Sequence, residues 1–310
     1  MAKIAVALEQ ALEQRALTGA GGRAAGRVLA AGKGWKVEDV ICTHGPQDRR
    51  FEEQHRNHTI AMVVAGSFQY RGRDGHELMT PGSFVLGSTG QSFECGHEHG
   101  AGDRCIAFSF TPEYFDELAA ETGTCNAGFR ALRVPPMRAF SPLVARACAG
   151  LLEQAVAPWE ELSLQLAGQT LEFVKSGDLP SSAGSTQPSS EARVTHALRM
   201  IERHIHDGLD VRIENLAVEA GLSPYHFLRT FERVTGTTPH QYILRMRLRE
   251  AGIRLAAEPE KILDIALDCG FGDVSNFNRA FRAEFGVSPR AYRKSGSVTC
   301  HVLTTPALYR

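Results

Sequence analysis

The sequence contains no stretch approaching the roughly 18 consecutive apolar residues that a membrane-spanning helix needs, which excludes a helical membrane protein and any membrane partner from the expectations. Its start, Met1 to Ala20, lacks the basic opening and unbroken apolar run of a secretory signal. It reads instead as a short helix carrying Glu9, Glu13 and Arg15, and the expected location is the cytoplasm. A charge of one sign is also missing. The chain has 34 basic and 35 acidic side chains, a net charge of −1, and between residues 191 and 294 the balance is 16 to 14. A surface for a polyanion must therefore come from locally placed arginines, not from a basic domain. Seven cysteines, an odd number, argue against a secreted disulfide framework, and a free cysteine is often simply a small buried hydrophobe.

What is present fits an ordinary globular chain. At 310 residues, 43% apolar and 22% charged, it is long enough for two domains with separate cores. The clearest break is SGDLPSSAGSTQPSS, from Ser176 to Ser190, where nothing can be buried. The expected organisation is a first domain over 1–175, a flexible linker over 176–192, a helical domain over 193–294, and a tail over 295–310 to which no function attaches. From Trp35 to Phe110, short apolar runs such as TIAMVVAG and CIAFSF alternate with turn formers, among them Gly72-Arg73-Asp74-Gly75, Pro81-Gly82 and Ser88-Thr89-Gly90. That spacing favours a small β-barrel or sandwich. Ser141 to Val174 turns helical, with a break near Pro158. Its apolar stripe serves either a dimer interface or packing on the chain's own strands.

The segment after the linker contains an internal repeat. Leu216, Ala217, Glu219 and Gly221 match Ile265, Ala266, Asp268 and Gly270. Beyond the turn, Phe227, Arg229, Phe231, Gly236, Pro239 and Tyr242 match Phe277, Arg279, Phe281, Gly286, Pro289 and Tyr292. One supersecondary unit is used twice. Each unit predicts a short helix ending at a glycine that reverses the chain. An apolar plug follows (Leu222, Phe271), then an N-cap (Ser223, Asp273) and a second helix. Phe227, Phe231 and Val234 in one unit, and Phe277, Phe281 and Phe285 in the other, form inward stripes. Left outside are Tyr225, His226, Arg229 and Arg233, and Ser275, Asn278, Arg279 and Arg282. Any helical hairpin has a polar outer face. Two with matched glycines and caps, joined by a long helix (His240 to Ala257), point to helix-turn-helix units whose second helices enter a DNA major groove. Arginine there can pair with guanine, and asparagine with adenine. Arg245, Arg247 and Arg249 on the joining helix can supply some phosphate contacts, with at least one of the three read as decoration of a solvated face.

Residues 194 to 294, and above all KILDIALDCGFGDVSNFNRAFRAEFGVSPRAYRK, resemble the AraC/XylS family of transcription regulators. The resemblance implies an α+β chain: an N-terminal cupin-like β-barrel with appended helices, then an all-α domain with two helix-turn-helix units reading successive major-groove segments on double-stranded promoter DNA. It implies Tyr225, His226, Leu228 and Arg229 as DNA-facing residues of the first recognition helix, and Val274, Ser275, Asn278 and Arg279 of the second. Leu228 departs from the polar residue common there, so it either meets a thymine methyl or packs. The N-terminal half resembles the family's sensor domain more loosely, through Pro81-Gly82-Ser83, Gly66 and Gly90. That implies a small-molecule effector or metal ion, a homodimer, and an activator that works on RNA polymerase.

One stretch of the sensor half stands out. Cys95, His97 and His99 alternate along a strand, and the glycine-rich turn Gly100 to Gly102 returns the chain at Cys105. Two imidazoles and two thiols suit zinc or another thiophilic metal. Cys42, His44, His55 and His58 are further candidates nearby. Redox sensing through Cys95 and Cys105, with Arg104 lowering a thiol pKa, competes with this reading. So does a plain polar loop over buried cysteines, or an effector pocket without metal. The usual cupin order of metal ligands is missing, so no enzymatic cupin site is carried over; a metal-dependent cupin enzyme fused to a DNA-binding domain is the alternative function. No catalytic residue is assigned.

Overall fold

A computed structural model describes residues 2–73, 75–124, 128–152, 157–176, 188–205 and 211–296. Most of the expected linker (177–187), Asp74 of the first turn and 297–310 of the tail lie outside the described residues. Alternating burial along the β-branched and aromatic runs produces the expected strands. Helix α1 (Ala2–Thr18) precedes β1 (Ala24–Gly32), β2 (Trp35–Cys42), β3 (Phe51–Gln54), β4 (His58–Gly66), β5 (Phe68–Gly72), β6 (Gly75–Met79), β7 (Phe84–Gly87), β8 (Ser92–Gly96) and β9 (Asp103–Phe110). Helix α2 (Pro112–Glu121) and the two-residue β10 (Arg133–Val134) complete this half.

The strands form a six-stranded sheet, β1-β2-β9-β4-β7-β10, and a four-stranded sheet, β3-β8-β5-β6. All paired strands are antiparallel. Among the described residues no strand belongs to both sheets, so the β-rich domain is an open pair of sheets, closer to the sandwich that the strand spacing allowed than to the closed barrel that the resemblance implied. Closure needs strands long enough to carry the ladder around the corner, and the edge strand β10 has two residues.

Two helices follow, α3 (Ser141–Leu152) and α4 (Trp159–Ser176), with the break where Pro158 placed it. Their apolar stripe is used within the chain: Leu143, Val144, Ala147, Leu162, Leu166 and Leu171 are buried in a core shared with the sheets. The helical half comprises α5 (Pro188–His204), α6 (Ile213–Glu219), α7 (Pro224–Thr235), α8 (Pro239–Ala257), α9 (Ile262–Asp268), α10 (Val274–Phe285) and α11 (Pro289–Gly296). Helix α5 begins at Pro188, inside the span expected as linker, because proline is well tolerated in a first helical turn.

The two halves do not keep separate cores. One apolar cluster runs from Ile4, Val37 and Phe84 through α3 and α4 to Val194, Phe227, Phe231 and Tyr242. A second cluster belongs to the last helices and takes in Ala145 of α3. Polar groups lock the seam. Arg133 donates to Leu78 O and Val234 O, at 3.0 and 2.8 Å, and pairs with Glu77 at 3.0 Å. Arg249, 1% exposed, donates to Pro81 O at 3.3 Å. A β-carbon on Gly82 would overlap the Arg249 guanidinium, so Gly82 lets the turn and the arginine share that space.

His55 gives this half a pH dependence. It is 9% exposed, its Nε2 lies 2.6 Å from Tyr70 Oη, and burial, helped by His58, pulls its imidazole down to about 4. The unfolded chain takes up that proton near pH 6.5, so the stability is complete above that value and is lost as pH falls toward 4. We expect urea unfolding to show roughly 2 kcal/mol less stability at pH 5 than at pH 7 from this group. A His55→Gln variant should lose that part of the difference. An identical pH slope in the variant would refute the assignment.

Candidate nucleic-acid interface

Each repeat folds as its sequence dictates. Helix α6 ends before Gly221 (φ 63°) and α9 before Gly270 (φ 81°), left-handed positions that a side chain would strain. The reversals are closed by Leu222 N donating to Ala217 O at 2.9 Å and Phe271 N to Ala266 O at 3.1 Å. Phe271 is buried as the plug of the second turn, and Leu222 half-buried in the first. Ser223 Oγ then accepts from His226 N, and Asp273 Oδ1 from Asn276 N at 2.7 Å, so both foreseen N-caps form. Phe227, Phe231, Phe277 and Phe281 are fully buried, with Val234 and Phe285 beside them. Each ring contributes about 1.5–3 kcal/mol of burial free energy to holding its helix in place.

The opposite faces carry the expected side chains. Tyr225 (64% exposed), His226 and Arg229 are exposed on α7, and Leu228 is half-buried. On α10, Ser275, Asn278 and Arg279 are exposed and Val274 is half-buried. Asn276, which the sequence reading passed over, accepts from Arg279 Nη2 at 3.2 Å and so steadies that guanidinium. The i, i+3 spacing was the available signal. Val274, Asn278, Arg279, Arg282 and Arg290 line a shallow concavity along α10. Arg290, also unforeseen, comes from α11.

The three arginines of α8 serve a different purpose from the phosphate contacts expected of them. Arg249 is buried against Pro81. Arg245 donates to Pro136 O at 2.6 Å and lies 3.6 Å from Glu284, and Arg247 donates to Gly270 O at 3.1 Å. They hold carbonyls and the seam between the halves, because α8 is packed on several sides at once. The N-terminal domain grips the recognition helices at their C-terminal ends: Arg133 on Val234 O, and Ser141 on Glu284. The N-terminal halves, where helix-turn-helix proteins meet base edges, stay exposed.

The Cys/His stretch comes out differently from its sequence pattern. Cys95 ends up in a small apolar cluster with Tyr70, Phe93 and Cys105. His97 leaves the strand and meets Asp103 at 2.7 Å, and His99 does not join it. Among the described residues, the three metal-type donors within 4.8 Å of one another are Cys42, His97 and Asp103. Of the expected quartet only His97 is in that set. His55 and His58 are engaged with Tyr70 and Phe115. The redox reading meets an electrostatic obstacle. Burial, with Asp103 adding to it, pushes the Cys42 thiol up to about 12 and lifts Cys95 and Cys105 well above the usual thiol value. Arg104 does not counter this, since it makes a two-pronged pair with Asp39 at 2.8 and 2.9 Å. Burial alone would raise the Asp39 carboxyl, but Arg104 and then Arg27 hold it below its usual value.

Two capped hairpins on a common helix, joined to an open β-sheet domain, define a two-part chain with a helix-turn-helix module. Family models match both parts: a helix-turn-helix domain over residues 216–295 and an AraC-like ligand binding domain over 37–171. The chain is 35% identical over 114 residues to the HTH-type transcriptional activator RhaS of Klebsiella pneumoniae (strain 342), covering 37% of this chain and 40% of that protein. It is 31% identical over 109 residues to the probable transcription factor PqrA of Proteus vulgaris, covering 35% of this chain and 89% of that one. Among solved structures, the DNA-binding domain of AdpA in complex with a target DNA is 30% identical, with a TM-score of 0.31. That match covers 36% of this chain and 93% of that chain. The chain belongs to the AraC family. Its match spans only about 40% of the length of the RhaS relatives.

The caps yield a stability prediction. Asp273→Ala should destabilise the protein by about 1 kcal/mol, read as a lower thermal midpoint. An unchanged midpoint would show that the Asp273 bond to Asn276 N contributes nothing.

Proposed function

We propose that this chain is a sequence-specific, DNA-binding transcription regulator whose N-terminal domain responds to a small effector or metal ion. The observation that carries the reading is the exposure of polar ridges on the N-terminal halves of α7 and α10 while their apolar stripes are fully buried. In this reading, Tyr225, His226, Leu228 and Arg229 face one major-groove segment, and Val274, Ser275, Asn278 and Arg279 face the next. Arg279 pairs with a guanine or with phosphate. Arg282 and Arg290 serve the backbone, which makes binding salt-dependent, with a slope of about 0.9 for each phosphate neutralised.

The relatives named as transcriptional activators support activation; in this reading the protein works on RNA polymerase, and a homodimer would place two such modules on one promoter. A groove between α1 and β1–β2, lined among others by Arg15, Arg23, Arg27, Asp39 and Thr43, is a concave surface for a small effector. No helix among the described residues is long and apolar enough to cross a membrane, in keeping with a cytoplasmic regulator. The N-terminal domain acts here as a sensor and not as a catalyst.

Titration of labelled promoter fragments with purified protein tests the reading. Arg279→Ala should weaken specific binding by roughly 5- to 150-fold with an unchanged thermal midpoint. Normal affinity in that variant would remove α10 from the interface. Oxygen uptake with a substrate, in place of DNA retardation, would favour the cupin enzyme.

A further inference from the structure

We propose that Cys42, His97 and Asp103 form a binding site for one thiophilic divalent cation, with zinc as the best fit. The topology assembles them from both sheets. Cys42 is the last residue of β2, Asp103 the first of β9, and the two are cross-strand partners. His97 arrives just past the end of β8, from the other sheet. The three are 4%, 4% and 5% exposed, and a thiol, a ring nitrogen and a carboxylate oxygen lie within 4.8 Å of one another. A tetrahedral zinc with ordinary bond lengths needs donor separations of about 3.3–3.6 Å, so the His97–Asp103 contact, 2.7 Å in the free protein, opens as the cation enters. Sulfur and imidazole together select a borderline or soft cation over calcium or magnesium, which take oxygen donors.

Two further features point to a ligand. The His97 side chain is 1% exposed, yet its Nδ1 has no hydrogen-bond partner, an expensive state for a buried polar atom. Cys105 Sγ donates to Asp103 Oδ2 at 3.3 Å, fixing the carboxylate as outer-shell partners fix metal ligands. His44 flanks the trio on the Cys42 side, its Nδ1 3.3 Å from Cys42 Sγ and its ring nearly parallel to that of His97, 6.2 Å away. It is outside the set of donors within 4.8 Å of one another, so the fourth position is left to water. On binding, the cation displaces the Cys42 thiol proton, which leaves to solvent, while the neutral imidazole of His97 keeps its one proton on the ring nitrogen that does not bind. Nothing is oxidised or reduced.

The site lies at the opposite end of β4 from His58. Asp103 pairs across from Gly66, whereas His58 pairs across from Phe110. The loop that carries His97 also reaches the helical half, since a β-carbon on Gly100 would come 2.6 Å from Arg199 Nη2 on α5.

The test uses untagged full-length protein, stripped with a chelator and titrated with Zn2+, then with Co2+ as a spectroscopic probe. We expect one equivalent per chain, and a four-coordinate Co2+ spectrum whose charge-transfer intensity corresponds to one thiolate. Cys42→Ser and Asp103→Asn should lower affinity on the order of 100-fold, while Cys95→Ser and His99→Ala leave it unchanged. The proposal is overturned by absence of stoichiometric Zn2+ binding, by two-thiolate intensity that disappears in Cys95→Ser, or by full affinity in Cys42→Ser. Should a variant fail to fold, stoichiometry and charge-transfer intensity of the unaltered protein still decide the matter. Neither readout involves DNA, so failure of this site and failure of the DNA-binding reading are separable.

Discussion

Helix α8 is the element on which the rest of the structure depends. It joins the two helix-turn-helix units, and it is also the surface on which the β-sheet half is docked. Tyr242, Met246, Leu248, Arg249, Ala251, Ile253 and Leu255 are all buried, which is more than one face of a helix can supply. A β-carbon on Gly252 would stand 3.0 Å from the Phe285 ring and 3.3 Å from Ala145, so α8, α10 and α3 meet there with no room to spare. A helix packed on several sides has little freedom to slide or rotate. Both hairpins are therefore referred to one rigid axis.

In the proposed regulator, that constraint would join sensing to reading. Among the described residues, the outer side chains of α7 and α10 stay exposed beside the N-terminal domain. That domain holds the far ends of those helices, through Arg133 at Val234 and Ser141 at Glu284, and the helix between them through Arg249. Contacts at helix ends can alter the relative tilt of two recognition helices while leaving their outer side chains unobstructed. The buried arginines are well suited to this. A guanidinium taken out of water requires carbonyl or carboxylate partners, so the seam between the halves is specific in register as well as apolar.

The same economy of partners governs the end of the β-domain where Cys42, His97 and Asp103 meet. Arg104, adjacent to Asp103 in sequence, points to the other face of the sheet and is occupied by Asp39. The Asp103 carboxylate is left to organise the imidazole and the thiols. Alternation along a strand thus separates two polar networks that neighbouring residues in the sequence would seem to share.

Local sequence determined a good deal. The glycine turns, the Ser223 and Asp273 caps, the phenylalanine stripes, the break at Pro158 and the exposed face of each recognition helix follow from backbone preferences and helical period. These act over a few residues and need no knowledge of the rest of the chain. Tertiary structure alone decided that Arg245, Arg247 and Arg249 of α8 turn to backbone carbonyls and away from solvent, that one core runs through both halves, that the sheets stay open, and that His97 finds Cys42 and Asp103 in place of His99 and Cys95. Each of these is a meeting of segments distant in sequence. Periodicity says which face of an element is buried, but not what it is buried against.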